Sequence, residues 1–187
     1  MIVITGSLGF IGWNLTLRFV ELGMAPKLLL IDKRPPSLNQ KDFLDRYAID
    51  FRMIDLTNQK AVYQLLNEYS SDIRMVYHLA ANSDISSGIE NPGLDFMDTL
   101  ISSMSLFQVL ETICTEKIRV VFASTSAVFG RVSSPIMESG KSFAPISNYG
   151  WAKLASEFTL MNRSSKIFNY SIVRFPNVVG PHMTHGV

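Results

Sequence analysis

The chain has 187 residues, 47% hydrophobic and 18% charged, with a formal net charge of +1; this allows one well-filled globular core and leaves no Lys/Arg excess to hold nucleic acid. A single cysteine, Cys114, excludes an internal disulfide and a Cys-rich zinc site, which suits a reducing cytosol. The first residues carry no basic leader with a cleavage site, and no apolar run approaches the ~20 residues that span a bilayer, so the expectation is a soluble, cytoplasmic protein with no membrane partner.

Short apolar runs alternate with longer stretches of helical period. Residues 2–5 are apolar and β-branched and predict a first strand; glycines follow, then an apolar helical face over 11–22. Strands are expected at 28–31, closed by Asp32, and at 51–54, closed by Asp55. Leu56-Thr57-Asn58 leads into a helix over 61–69, with Thr57 or Asn58 as its N-cap. A fourth strand over 75–79, a long helix over 94–115, a fifth strand over 119–123, a helix over 149–162 and a sixth strand over 171–174 complete the series. Continuous apolar strands alternating with helices predict an α/β fold: a doubly wound parallel sheet of the Rossmann type with helices on both faces. Loops are expected at 33–39, 82–93 and 129–147. Ligand sites of open α/β sheets lie at the carboxyl ends of the strands, where such loops emerge.

Thr5-Gly6-Ser7-Leu8-Gly9-Phe10-Ile11-Gly12 spaces glycines three apart between the first strand and the first helix. Gly6 permits a tight turn, Gly9 lets a pyrophosphate approach the backbone, and Gly12 lets the helix pack against the strand. The free amides at the helix N-terminus then face the phosphates. Asp32 follows the motif by about twenty residues, where a carboxylate accepts ribose hydroxyls. That favours NAD over NADP, because a carboxylate repels a 2′-phosphate. Lys33 and Arg34 come next; Lys33 joins the candidate cofactor contacts, and an arginine here could hold that phosphate.

Tyr149 and Lys153 stand four apart and, on a helix, share one face. A phenol with a pKa near ~10 is a poor base at neutral pH. A neighbouring ammonium is expected to lower that value, letting Tyr149 accept a hydroxyl proton. Ser124-Thr125-Ser126 closes the fifth strand with three hydroxyls where a substrate would sit.

With these motifs in hand, the chain resembles the extended short-chain dehydrogenases/reductases of the NAD-dependent epimerase/dehydratase group. The carriers are Thr5–Gly12, Asp32, Asp55-Leu56, His78-Leu79-Ala80-Ala81, Ser124–Gly130, Tyr149–Lys153 and Arg174-Phe175-Pro176-Asn177-Val178-Val179-Gly180-Pro181. The resemblance implies that Gly6, Gly9, Phe10, Ile11 and Gly12 surround the pyrophosphate of NAD, with Asp32 on the adenosine ribose. It implies that Asp55 and Leu56 flank the adenine, that Leu79, Ala80 and Ala81 line the cleft, and that Ser124 lies beside the cofactor. Thr125 matches the catalytic Ser/Thr and Tyr149 the acid/base, while Lys153 holds the nicotinamide ribose. Phe175 and Val178 approach the nicotinamide, and Ser126 and Asn177 join Thr125 on the substrate side. The activity implied is epimerisation of a nucleotide-activated sugar, with UDP-sugars first among candidates, through a transient keto intermediate. A homodimer through helices 94–115 and 149–162 is implied as well, with Leu106, Phe107, Val109 and Leu110 serving either core or interface.

The chain departs from the family at several points. Ser126 and Ala127 stand where 4,6-dehydratases carry Asp-Glu, which argues against sugar dehydration. Phe129 replaces the usual Tyr, and the usual Asn of the long helix is not evident, with Thr99 or Ser102 in its place. Family members continue well past the Asn-Val-x-Gly-Pro motif, so residues 1–187 are read as the NAD-binding domain, with the substrate-binding region beginning at about 177–187. Two alternatives stay open: an NADP-dependent carbonyl reductase of the same extended family, and a non-catalytic NAD-binding or oligomerisation module. His182 and His185 are read as exposed rather than metal-binding, His78 as positioning backbone, and Cys114 as core or interface.

Overall fold

The computed structural model describes residues 1–82, 85–133, 135–138, 142–163 and 168–183, and for 85–87 the backbone alone. Its centre is a parallel six-stranded sheet. In chain order the strands are β1 Ile2–Thr5, β2 Leu28–Asp32, β3 Asp50–Met53, β4 Met75–His78, β5 Ile118–Thr125 and β6 Phe168–Phe175. Their spatial order is β3-β2-β1-β4-β5-β6. The chain thus winds outward from β1 in one direction, returns to β4 and winds outward in the other. A crevice opens at the carboxyl end of such a switch point, here between β1 and β4, where Thr5 pairs with both Ile31 and His78.

Within the apolar runs, alternate residues feed opposite faces, because successive strand side chains point to opposite sides. Ile2, Ile4, Leu28 and Leu30 pack under helices α1 (Phe10–Glu21) and α2 (Leu38–Arg46), against Trp13 and Leu44. Val3, Leu29, Ile31, Val76, Val120 and Phe122 pack on the other face. They meet Leu65 and Leu66 of α3 (Gln59–Asn67) and Leu106, Phe107 and Leu110 of α6 (Ser102–Ile113). Cys114 belongs to this second cluster and is buried. Asn58 caps α3, its side chain accepting from the Ala61 amide at 3.1 Å.

Helix α2 falls where the sequence reading placed a loop up to residue 39 and no helix beyond it. Its signal is the pair Ser37 and Gln40, each side chain bonded to the other's backbone amide. This reciprocal box satisfies two amides that a helix start leaves free. Trp13 meets Phe43 edge-on at 5.3 Å and holds α2 to α1. Gln40 also donates to the Leu8 carbonyl at 3.3 Å, so α2 braces the glycine turn.

The long helix expected over 94–115 is present as one unbroken helical run from Pro92 to Ile113, but it is not α-helical throughout. The chain enters through α4 (Ile85–Glu90), inside the expected 82–93 loop, and α5 (Pro92–Asp95). It then makes a π-helical turn, Phe96–Ile101, before α6. A π turn widens the helix and loosens the regular ladder. Local hydroxyls serve its carbonyls: Ser102 donates to Asp98 O at 2.6 Å, and Ser103 to Thr99 O at 2.5 Å. The sequence carried serines at these places but no periodicity break to announce the turn. The last helix, α7, spans Asn148–Arg163.

Candidate active site

A cleft of about 590 Å³ lies along the carboxyl ends of the strands. Gly6, with φ of +65°, makes the turn out of β1, and a Cβ there would sit 2.7 Å from the Ala80 amide nitrogen. At Gly12 a Cβ would meet the Gly6 carbonyl at 2.3 Å, so contact between α1 and the turn requires glycine. Gly9 is the N-cap of α1 without a side-chain cap, so the first amides of the helix have no side-chain acceptor of that kind and open on the cleft with Phe10 and Ile11.

Asp32 ends β2, buried, with its two oxygens 3.0 Å from the amides of Leu8 and Arg34. The Arg34 guanidinium lies 3.6 Å from the same carboxylate. Lys33 reaches across the cleft rim to Asp98 of the π turn at 2.5 Å. Asp55 lines the cleft as well, while one of its oxygens accepts from the Thr57 amide and hydroxyl at 2.9 and 2.8 Å. Leu56, Leu79, Ala80 and Ala81 complete that wall. Beyond β6, residues 176–183 fold back over α1, where Asn14 donates to the Pro181 carbonyl at 2.8 Å. Phe175, Asn177, Val178 and Met183 thereby face the glycine turn across the cleft.

Thr125, Tyr149 and Lys153 reach the same cleft. Thr125 Oγ1 accepts from the Ala127 amide at 3.1 Å, which leaves its own proton available to a ligand. Ser126, expected on the substrate side, starts the 3-10 turn Ser126–Phe129 and is not among the residues lining the cleft. The chain turns away from the cleft directly after Thr125. Ser124 lies at the cleft too, but its hydroxyl is already committed to the Glu157 carboxylate. Of the two positions considered for the family's Asn, Ser102 lines the cleft, whereas Thr99 is buried behind it and accepts from the Asn82 amide at 3.2 Å.

The electrostatics of the tyrosine–lysine pair run opposite to the sequence expectation. Burial pushes Tyr149 up to about 12, and the Asp95 carboxylate adds to that shift. Burial pulls Lys153 down to about 7, opposed by Glu157. The lysine ammonium donates to the Ala123 carbonyl at 2.5 Å and lies 5.9 Å from the centre of the tyrosine ring. In the protein alone, desolvation outweighs the pairwise attraction between the two side chains.

His78 was expected to position backbone; it bridges two side chains instead. Its Nδ1 lies 2.7 Å from Thr5 Oγ1 and its Nε2 2.9 Å from Ser103 Oγ. Because Ser103 donates its proton to Thr99 O, Nε2 carries the imidazole proton and Nδ1 accepts from Thr5. Complete burial drives this histidine down to about 3 and keeps it neutral. His182 is exposed, and His185 lies outside the described residues. Among the described residues, no three His, Cys, Asp or Glu side chains gather closely enough to hold a metal ion.

Sequence reasoning missed Asn82, Asp98 and Met183 as lining residues, and Glu157 behind the cleft. Glu157 alone carried a signal, standing four residues beyond Lys153 on one helix face. The others meet the cleft through long-range packing.

A switch-point crevice, an uncapped helix N-terminus and an acidic end to β2 define a dinucleotide-type α/β domain with a Thr–Tyr–Lys cluster at its ligand edge. Residues 2–187 match the NAD dependent epimerase/dehydratase family, and the chain belongs to that family. It is 28% identical over 189 residues to a UDP-glucuronate 4-epimerase of Thermodesulfobacterium geofontis, covering 96% of this chain and 56% of the relative. A UDP-glucose 4-epimerase of rice is 26% identical over 191 residues, covering 97% and 52%. The solved UDP-glucose 4-epimerase of Thermus thermophilus, in complex with NAD, superposes with a TM-score of 0.84 at 26% identity, covering 99% of this chain and 58% of that one. The chain therefore spans about half the length of the relatives it matches.

Proposed function

We propose that this chain binds NAD and carries the hydride-transfer and proton-transfer centre of a 4-epimerase acting on a nucleotide-activated sugar, UDP-sugars foremost, through a transient keto intermediate. The observation that carries this reading is the convergence of Thr125, Tyr149 and Lys153 on the same cleft as the glycine turn and Asp32. The residues present suit a dinucleotide. Gly9 leaves the helix amides open to a pyrophosphate, and Asp32 offers a buried carboxylate at the end of β2. Phe175 and Val178 form the opposite wall.

When bound, NAD supplies a reversible hydride acceptor and a positively charged ring. Thr125 donates its proton to the oxygen of the reacting hydroxyl and orients it. Tyr149 keeps its own proton in the protein alone and takes up a substrate proton only when added positive charge favours the phenolate. Lys153 contributes that charge from within the protein as far as it remains protonated.

One observation favours the NADP alternative: the Arg34 guanidinium stands at the Asp32 carboxylate, where a 2′-phosphate would arrive. Asp32 itself opposes it, being buried and fixed by two amides. A homodimer also belongs to this reading. Leu106, Phe107, Val109 and Leu110 are all core and cannot form its interface. Met97, Ile101 and Met104 leave a separate apolar face on the π turn and α6, and Trp151 and Phe158 one on α7, for a second copy to cover. No helix among the described residues is long and apolar enough to cross a membrane.

Calorimetric titration of the 187-residue chain with NAD, NADP and UDP-glucose tests the proposal. Saturable NAD binding that is tighter than NADP binding, and lost in Gly9→Val, is the expected result. Binding of neither dinucleotide overturns the enzyme reading. Sedimentation of wild type against Met104→Glu tests the dimer, which a monomeric wild type would exclude.

A further inference from the structure

Glu157 is 1% exposed, and a carboxylate so deeply buried requires partners that offset its desolvation. Two are direct. Arg174 of β6 holds it with Nε at 3.0 Å and Nη2 at 2.8 Å, and Ser124 of β5 donates its hydroxyl to Oε1. The arginine is fixed in turn, its guanidinium carbon 4.8 Å from the Phe143 ring centre and 5.3 Å from that of Phe129. Glu157 stands one turn beyond Lys153 on the same helix, and Lys153 is itself 2% exposed. The assembly joins β5, β6 and α7 directly behind Thr125 and Tyr149.

We propose that Glu157 is a positioning residue of this site. Its buried carboxylate, clasped by Arg174 and Ser124 one helical turn from Lys153, favours the charged form of that lysine and withdraws the Ser124 hydroxyl, so that the end of β5 presents Thr125 to a ligand. The mechanistic meaning of this arrangement rests on the epimerase reading, but the charge on Lys153 can be measured without any ligand.

The groups that set that charge come from every side of the lysine. Tyr149 and Glu157 share its helix, and the neutral His78 approaches from β4. Arg174 approaches from β6, the Ala123 carbonyl and the Phe122 ring from β5, and Asp95 faces the tyrosine from α5. Of the two carboxylates in this set, Glu157 is the one that raises Lys153 against its desolvation. Arg174 partly neutralises Glu157. The two partners therefore act on the lysine with opposite signs.

The test is a pH titration of the full chain carrying lysine labelled with carbon-13 at Cε, followed by NMR. The Lys153 signal is assigned by its absence in Lys153→Arg. In the wild type it titrates several pH units below the ordinary lysine value of ~10.4. Glu157→Gln lowers the midpoint by about one pH unit or more, the size of effect an opposite charge at this range exerts. Arg174→Gln raises it, because the carboxylate is then less neutralised. Ser124→Ala leaves it nearly in place. A purely structural role would cost stability in both charge variants without moving the midpoint, or would move it in the same direction, and either result overturns the proposal. If Glu157→Gln does not fold, the sign of the Arg174→Gln shift decides. Loss of NAD binding with these midpoints as stated would sink the epimerase reading and leave the Glu157 assignment intact.

Discussion

The two wings of the sheet are built differently. Every residue of β1 and β2 is buried, with α1 and α2 on one face and α3 and α6 on the other. On β6, Phe168 is buried but Asn169, Ser171 and Val173 are exposed, in register with Arg119, Val121 and Ala123 of β5. Apart from the buried Ala123, that face of the wing is thus open to solvent, and among the described residues no strand pairs with the outer side of β6. In the dinucleotide wing β1 and β2 are closed on both faces, whereas in the wing that carries Thr125 and borders Asn177 β6 is closed mainly at its start. Thr125, Tyr149 and Lys153 belong to the second wing and face the cleft at the seam between the two.

Substitution tests this contrast most strongly in the core. Ile4→Ala, in the closed wing, should cost about 2–5 kcal/mol in urea unfolding. Val173→Ala, on the exposed face of β6, should stay within about 0.5 kcal/mol. Comparable losses at the two sites would mean that the open face is covered in solution.

Gly12→Ala comes next. Its new methyl would press on the Gly6 carbonyl, and overpacking of this kind costs about 1–3 kcal/mol. It should also abolish the NAD titration signal, while the equally small change Gly23→Ala, at a positive φ with open space around it, should leave that signal unchanged. Retained NAD binding in Gly12→Ala would show that close contact between the helix and the turn is dispensable.

Smaller again is the helix start at Ser37, where Ser37→Ala should remove about 1 kcal/mol by breaking the capping box. Because Gln40 braces Leu8, the loss should be accompanied by weaker NAD binding. Unchanged affinity would confine α2 to a scaffold role.

The pH dependence of stability should separate the wings at their seam. His78 is depressed to about 3, so its contribution is fully present above ~6.5 and is lost as pH falls towards 3. Lys153 is depressed to about 7, so the unfolded chain binds the extra proton between there and ~10.4, and stability rises with pH across that window. Tyr149 acts in the opposite sense: raised to about 12, its contribution is fully present below ~10 and is lost as pH rises through 12. Thermal melts of wild type against Lys153→Met should therefore diverge between pH 7 and 10, with the wild type gaining. Parallel curves would mean that Lys153 titrates in the folded chain as it does in the unfolded one, so that its burial costs it no charge.

The strand series, the glycine turn, Asp32, and the Thr125, Tyr149 and Lys153 positions were all legible in the sequence. They depend on local patterns: apolar runs, glycine spacing and side chains one helical turn apart. Ser126 was misplaced because a hydroxyl at a strand end carries no record of where the chain turns next. Leu106 and its neighbours read equally well as core or interface, since an apolar helix stripe does not say what covers it. The π turn left no mark in a serine-rich helix.

By itself the sequence determined the order of the strands, the sheet class and the helical spacing of Tyr149 and Lys153, because backbone propensity and spacing are properties of neighbouring residues. Only the tertiary structure decided their state. It placed Glu157 and Arg174 against Ser124, closed Lys33 onto Asp98 across the cleft, and buried Tyr149 and Lys153 deeply enough to reverse the expected shift of the phenol. The sign of a pKa shift depends on desolvation set against charges that arrive from distant parts of the chain, and burial is not written in any local window of residues.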